Sequence, residues 1–180
     1  MSRSLSRHLI GATLVLAATA AFAAPVPVLK FEGAIGVDPL TAAGGVDALN
    51  VVRGIDPGGR AWVIRKFDAT VYSDGSIAAR GKGLLFSSGD VIATRGPVTH
   101  VAATLACGPA NNTATRYTTA PAPLDAAGNF TISGPLLDGV NQAVLPVPCD
   151  NPQLLIRAAN PTTGAAGGWF AAGILERDDD

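Results

Sequence analysis

The chain has 180 residues, 48% of them hydrophobic and only 15% charged, with a formal net charge of −1. It therefore lacks the surplus of Lys and Arg through which a domain binds nucleic acid by net charge. Three of its 14 acidic residues are the terminal run Asp178, Asp179 and Asp180, so the remainder is nearly balanced and charge names no partner.

Residues 1–23 read as a cleavable signal peptide. Arg3, Arg7 and His8 precede an apolar run from Leu9 to Ala20, and the small-residue site Ala21-Phe22-Ala23 follows, with cleavage expected after Ala23. The run is about 12 residues, short of the ~20 that span a bilayer, so a retained anchor is the lesser reading. No twin-arginine pair and no lipid-accepting Cys accompany it. The expectation is general secretion, to the periplasm or beyond, of residues 24–180 as a single domain without a membrane span, ending in a short acidic disordered tail at 176–180. Ten Arg against three Lys in an Ala- and Gly-rich chain is what GC-rich codons produce, and suggests a bacterial source.

After the leader, 21 Gly and 13 Pro in the chain set turns at short intervals, and no long stretch keeps a 3.6-residue apolar period. The expected fold is all-β, an antiparallel β-sandwich or partly open barrel of about 9–11 short strands. Candidate strands are 26–36 and 46–53, the latter with a helical turn at 46–52 as its alternative. The clearest element is a hairpin of 61–72 against 76–86. Phe67, Ala69 and Val71 alternate there with Asp68, Thr70 and Tyr72, and Asp74-Gly75 is a favoured tight-turn pair whose two positions want positive φ. Within it, Arg65 and Lys66 break the alternation, as at a bulge with a local basic spot. Strands are further expected at 90–94, 98–107, 115–119, 129–133, 140–145, 153–158 and 168–175. The 98–107 segment is apolar on both faces, as an inner strand is. Pro121 to Pro123 and Pro146 to Pro148 read as loops or edge segments, because Pro cannot donate to an inner ladder. Ile77-Ala78-Ala79-Arg80-Gly81 recurs as Ile92-Ala93-Thr94-Arg95-Gly96, too few copies for a repeat architecture.

Cys107 and Cys149 are the only cysteines, and an even pair in an exported chain predicts a disulfide. No C-x-x-C or His cluster favours a redox or metal pair instead.

The search for chemistry returns little. His100 is the only histidine after the leader. A Ser-His mechanism would have to run through it, with Ser87 or Ser88 and Asp90, yet Phe86-Ser87-Ser88-Gly89 lacks the nucleophile elbow. Arg80-Gly81-Lys82-Gly83 is no phosphate loop, and Gly33-Ala34-Ile35-Gly36 no dinucleotide fingerprint, because neither opens a helix. Asp38, Asp56, Asp74, Asp125, Asp138 and Asp150 sit mainly in turns, where they bond their own backbone; Glu32 and Glu176 are the only glutamates. Trp62, Trp169, Tyr72 and Tyr117 could form a flat platform for a sugar or peptide, Tyr72 being the best candidate for exposure. The sequons Asn111-Asn112-Thr113 and Asn129-Phe130-Thr131 carry no meaning in a bacterium. No catalytic, cofactor or metal residue is assigned, and no cofactor is expected. The functional expectation is an exported non-catalytic module, binding or structural, with an unknown extracellular or periplasmic ligand. The alternative is a small secreted hydrolase using His100 or an Asp pair.

Overall fold

The computed structural model describes residues 24–39, 50–110 and 113–176. The signal-peptide segment with its cleavage site, residues 46–49 of the second candidate strand and of its helical alternative, Asn111 and Asn112, and tail residues 177–180 lie outside the described residues. Within them the protein is all-β. Its strands are β1 (Pro27–Gly36), β2 (Trp62–Val63), β3 (Lys66–Tyr72), β4 (Ser76–Lys82), β5 (Leu85–Phe86), β6 (His100–Cys107) and β7 (Thr115–Thr118). They continue as β8 (Ala122–Pro123), β9 (Phe130–Pro135), β10 (Leu137–Asp138), β11 (Asn141–Gln142), β12 (Gln153–Ala159) and β13 (Ala166–Leu175).

Every ladder between these strands is antiparallel, and all but two strands join one sheet in the order β11-β10-β7-β6-β12-β13-β1-β3-β4-β9, with β8 on the edge of β6. This sheet curls until β8 lies against β9, with no ladder joining the two. The result is the partly open barrel rather than the sandwich. β2 and β5 form a separate two-stranded ribbon.

Alternation explains the inner wall. Phe67, Ala69 and Val71 of β3, Ile77 and Ala79 of β4, and Phe130 and Ile132 of β9 are buried, while their neighbours in sequence face outward. β6 is buried on both faces from Val101 to Cys107. One face meets the barrel core through Val101, Ala103 and Leu105. On its other face the Thr104 and Thr118 hydroxyls bond at 2.9 Å, and Arg157 of β12 donates from Nη1 to Thr104 at 3.3 Å. The same guanidinium donates to the Gly167 and Ala166 carbonyls at 2.8 and 2.9 Å. Burial lowers the Arg157 pKa, and nearby Arg116 lowers it further.

The hairpin forms with a different turn from the one its residues suggest. Only Gly75 has positive φ, 79°, and the loop is the three residues Ser73, Asp74 and Gly75. Asp74 serves as a cap: its Oδ1 accepts from the Ser76 N–H at 2.9 Å and from the Ser76 hydroxyl at 2.6 Å. Residues 90–94 are turns, not a strand, and of 140–145 only Asn141–Gln142 pairs. Residues 50–53 form no strand: the chain makes a tight turn at 52–55, Val52 and Ile55 exchanging backbone bonds at 3.0 and 2.9 Å.

Cys107 and Cys149 are bonded, with Cα atoms 5.1 Å apart. The bridge joins the end of β6 to the loop before β12, beside the Gly108 N–H to Asp150 O bond of 2.7 Å. The Arg53 guanidinium reaches across this corner to the carbonyls of Gly108, Pro109 and Asn151.

Candidate functional site

The described feature that most resembles a ligand site lies at the β2–β5 ribbon. Trp62 and Phe86 face each other across the ribbon, and Phe170 of β13 supplies the third ring. The Val37 N–H bonds to Phe170 O and the Trp62 N–H to Val37 O, both at 2.8 Å, which fixes β2 beside β13. Trp62 stacks on Phe170 with centroids 4.1 Å apart and planes at 26°, and meets Phe86 at 4.2 Å and 44°. The three residues are 3–7% exposed, so the rings are almost wholly buried beneath the surface. Above them opens a cleft of about 440 Å³, with Val91 and Val98 on the far wall. Arg60 closes one side. Its guanidinium lies 5.9 Å from the Phe86 centroid and bonds Asp90 Oδ1 at 3.1 Å. With the side chains 50% and 83% exposed, that ion pair contributes at most about 1 kcal/mol, and a ligand acid can displace it.

The residues singled out from the sequence are dispersed. His100 is half-buried, and its Nδ1 shares a 3.0 Å bond with the hydroxyl of Thr99. Across the ladder it meets Pro123, and Asp90 is occupied by Arg60. Neither Ser87 nor Ser88 is bonded to it among the described residues. Trp62, Trp169 and Tyr117 are buried, Tyr72 is half-buried, and none of the four pairs with another, so the flat platform does not form. The Trp169 indole N–H donates to Asn50 O at 3.1 Å. Burial raises the Tyr117 pKa, and the charge of Asp138 adds to the effect. Two turn aspartates behave as expected. Asp125 Oδ1 accepts from the Asn129 N–H at 2.8 Å, as Asp74 does from Ser76. No group of three or more His, Cys, Asp or Glu among the described residues is placed to hold a metal ion.

Those two caps carry a pH dependence. Hydrogen bonds to Ser76 lower the Asp74 pKa below 3.8, and hydrogen bonds to Asn129 lower that of Asp125. Depressed folded-state values mean that the stabilisation is present above the unfolded pKa and is lost as pH falls through the folded one. The melting temperature should therefore drop more steeply between about pH 4 and pH 2 in the wild type than in Asp74→Asn/Asp125→Asn. Parallel curves from thermal unfolding across that range would refute the assignment.

No family model, curated protein or solved structure matches the chain. No helix among the described residues is long and apolar enough to cross a membrane. The formed disulfide fits an oxidising, extracellular environment.

Proposed function

We propose that the protein is an exported, non-catalytic binding module whose ligand seats over Trp62, Phe86 and Phe170. One observation carries this reading: residues far apart in the chain bring three rings under an open cleft of about 440 Å³. Ligand sites are typically clefts of roughly 300–1,000 Å³ with apolar linings and a few placed polar groups. The rings and valines supply apolar surface, and Arg60 supplies a cation at the rim. The chemistry suits a small apolar or aromatic ligand bearing an acid. The leader-like first 23 residues and the disulfide support export.

A thermal-shift screen of aromatic and aliphatic carboxylates against residues 24–180 tests the reading. Binders should raise the melting temperature of the wild type and change its tryptophan emission. Val91→Phe, which fills the cleft from a half-buried position, should remove both responses with little change in the free protein. A shift that survives Val91→Phe refutes the site. Turnover in a hydrolase screen that is abolished by His100→Ala would replace the whole reading with a catalytic one.

A further inference from the structure

The hairpin carries charges that its own stability does not call for. Lys66 and Lys82 stand directly opposite each other in the β3–β4 ladder, both exposed. Like charges at such positions are destabilising. Arg80 lies two residues from Lys82 on the same outward face. Arg65 joins them because its N–H bonds Lys82 O at 3.0 Å and its side chain lies on Gly83, where an added Cβ would sit 2.5 Å from Nε. None of these four cations makes a salt bridge among the described residues, where the sole ion pair is Arg60–Asp90. Three carboxylates are close: Asp68, opposite Arg80 in the ladder, exposed Glu32, opposite Asp68 on β1, and Asp125, already held by Asn129. The four cations thus outnumber the three carboxylates by one, with Lys66 and Lys82 the pair farthest from compensation, directly opposite each other.

This patch borders the seam where the barrel does not close. A groove of about 460 Å³ runs there between β9 and the chain after β8. Arg80 and Lys82 line it together with Asn129, Thr131, Leu124 and Phe130. Asp125, held by Asn129, also lines it, so two cations, one carboxylate, an amide and a hydroxyl meet in one open groove over buried apolar side chains. Same-face residues on a strand are roughly 7 Å apart and neighbouring strands roughly 5 Å, so the charges form a track instead of a cage for one ion.

We infer that the seam beside Arg65, Lys66, Arg80 and Lys82 binds an acidic polysaccharide, a chain of sugars carrying repeated carboxylates. The cations meet the carboxylates, and the Thr131 hydroxyl and the Asn129 side-chain carbonyl, whose amide N–H is held by Asp125, bond sugar hydroxyls; Leu124 and Phe130, 3% and 4% exposed, only close the bottom of the groove. The site is independent of the aromatic cleft. The choice of a polysaccharide over a nucleic acid rests on the export reading.

The test measures binding of residues 24–180 to oligogalacturonate, neutral dextran and a single-stranded DNA oligomer at about 50 and 200 mM salt. Oligogalacturonate should bind, more weakly at the higher salt; dextran should not. Arg80→Ala/Lys82→Ala should weaken binding roughly tenfold or more, while Arg116→Ala, at an exposed position on β7, leaves it unchanged. Lys66→Glu places an opposite charge across from Lys82. It should raise the melting temperature by about 1–3 °C while reducing oligogalacturonate affinity, a combination that a merely structural lysine does not give. Asn129→Ala and Thr131→Val should weaken the sugar polymer but not residual DNA binding. Absence of oligogalacturonate binding, indifference to Arg80→Ala/Lys82→Ala, or DNA bound more tightly than the sugar polymer each overturns the inference. The last outcome would also count against export, whereas the first two leave the aromatic-cleft reading standing.

Discussion

Replacing Cys107 and Cys149 together by alanine should lower the melting temperature by roughly 8–16 °C. The two are 42 residues apart, and a loop of that length restricts the unfolded chain by about 4 kcal/mol in the loop-closure account. For a chain of this size each kcal/mol is worth roughly 2–4 °C. The folded state should otherwise persist, because β6 and β12 remain paired from His100's neighbour Val101 to Ala106 without the bridge. Alanine is the better test than serine, since Cys107 is 3% exposed and a hydroxyl there would be buried without an assigned partner. Scanning calorimetry or thermal circular dichroism decides the matter. An unchanged melting temperature in the double variant would mean that the neighbouring bonds, Gly108 to Asp150 and Arg53 to three carbonyls, hold that corner by themselves.

Much of the barrel was legible because the sequence alternates where a strand has one wet face. β3 and β4 follow that pattern residue by residue, and β6 is apolar on both faces because both are covered. The failures have physical causes. Ile77-Ala78-Ala79-Arg80-Gly81 and Ile92-Ala93-Thr94-Arg95-Gly96 share a pattern, yet Ile77 is 1% exposed in β4 and Ile92 is 59% exposed in a turn. The first has β3 and β9 to pair with on either side. The second is folded back on Phe86, whose N–H bonds Thr94 O and whose carbonyl accepts from Ala93. Five residues do not encode a partner strand. The Asp-Gly turn misled in a smaller way: Asp74 kept a negative φ because its carboxylate could satisfy Ser76 from there.

The candidate sites were less legible than the fold. Trp62, Phe86 and Phe170 converge only after β1 and β13 pair, and Trp62 alone among them stood out in the sequence. The basic spot at Arg65 and Lys66 was visible, but its extension to Arg80 and Lys82 depends on the β3–β4 register. Arg80-Gly81-Lys82-Gly83 lies at the end of strand β4. Its glycines serve packing: an added Cβ at Gly81 would fall 2.1 Å from the Phe130 ring.

Gly36→Ala should be the most damaging single methyl addition to the aromatic cleft, at about 3 kcal/mol, or roughly 6–12 °C in melting temperature. At Gly36 an added Cβ would sit 2.0 Å from the Trp62 carbonyl oxygen and 2.8 Å from its carbon. Both atoms are backbone, so no rotamer change relieves the clash; β1 and the ribbon have to separate. That separation strains or breaks the Trp62 N–H to Val37 O bond, whose loss contributes about 1 kcal/mol of the total. It also draws Trp62 off Phe170, so the near-ultraviolet dichroism and tryptophan emission should change even well below the melting temperature. Gly59→Ala is the control, since a Cβ there meets nothing within 4 Å, and it should stay within about 0.5 kcal/mol of wild type. If Gly36→Ala melts with the wild type and keeps its aromatic dichroism, then β2 is not held by β1 in the way these contacts require. The rings would then owe their arrangement to β13 and the 87–98 turn alone.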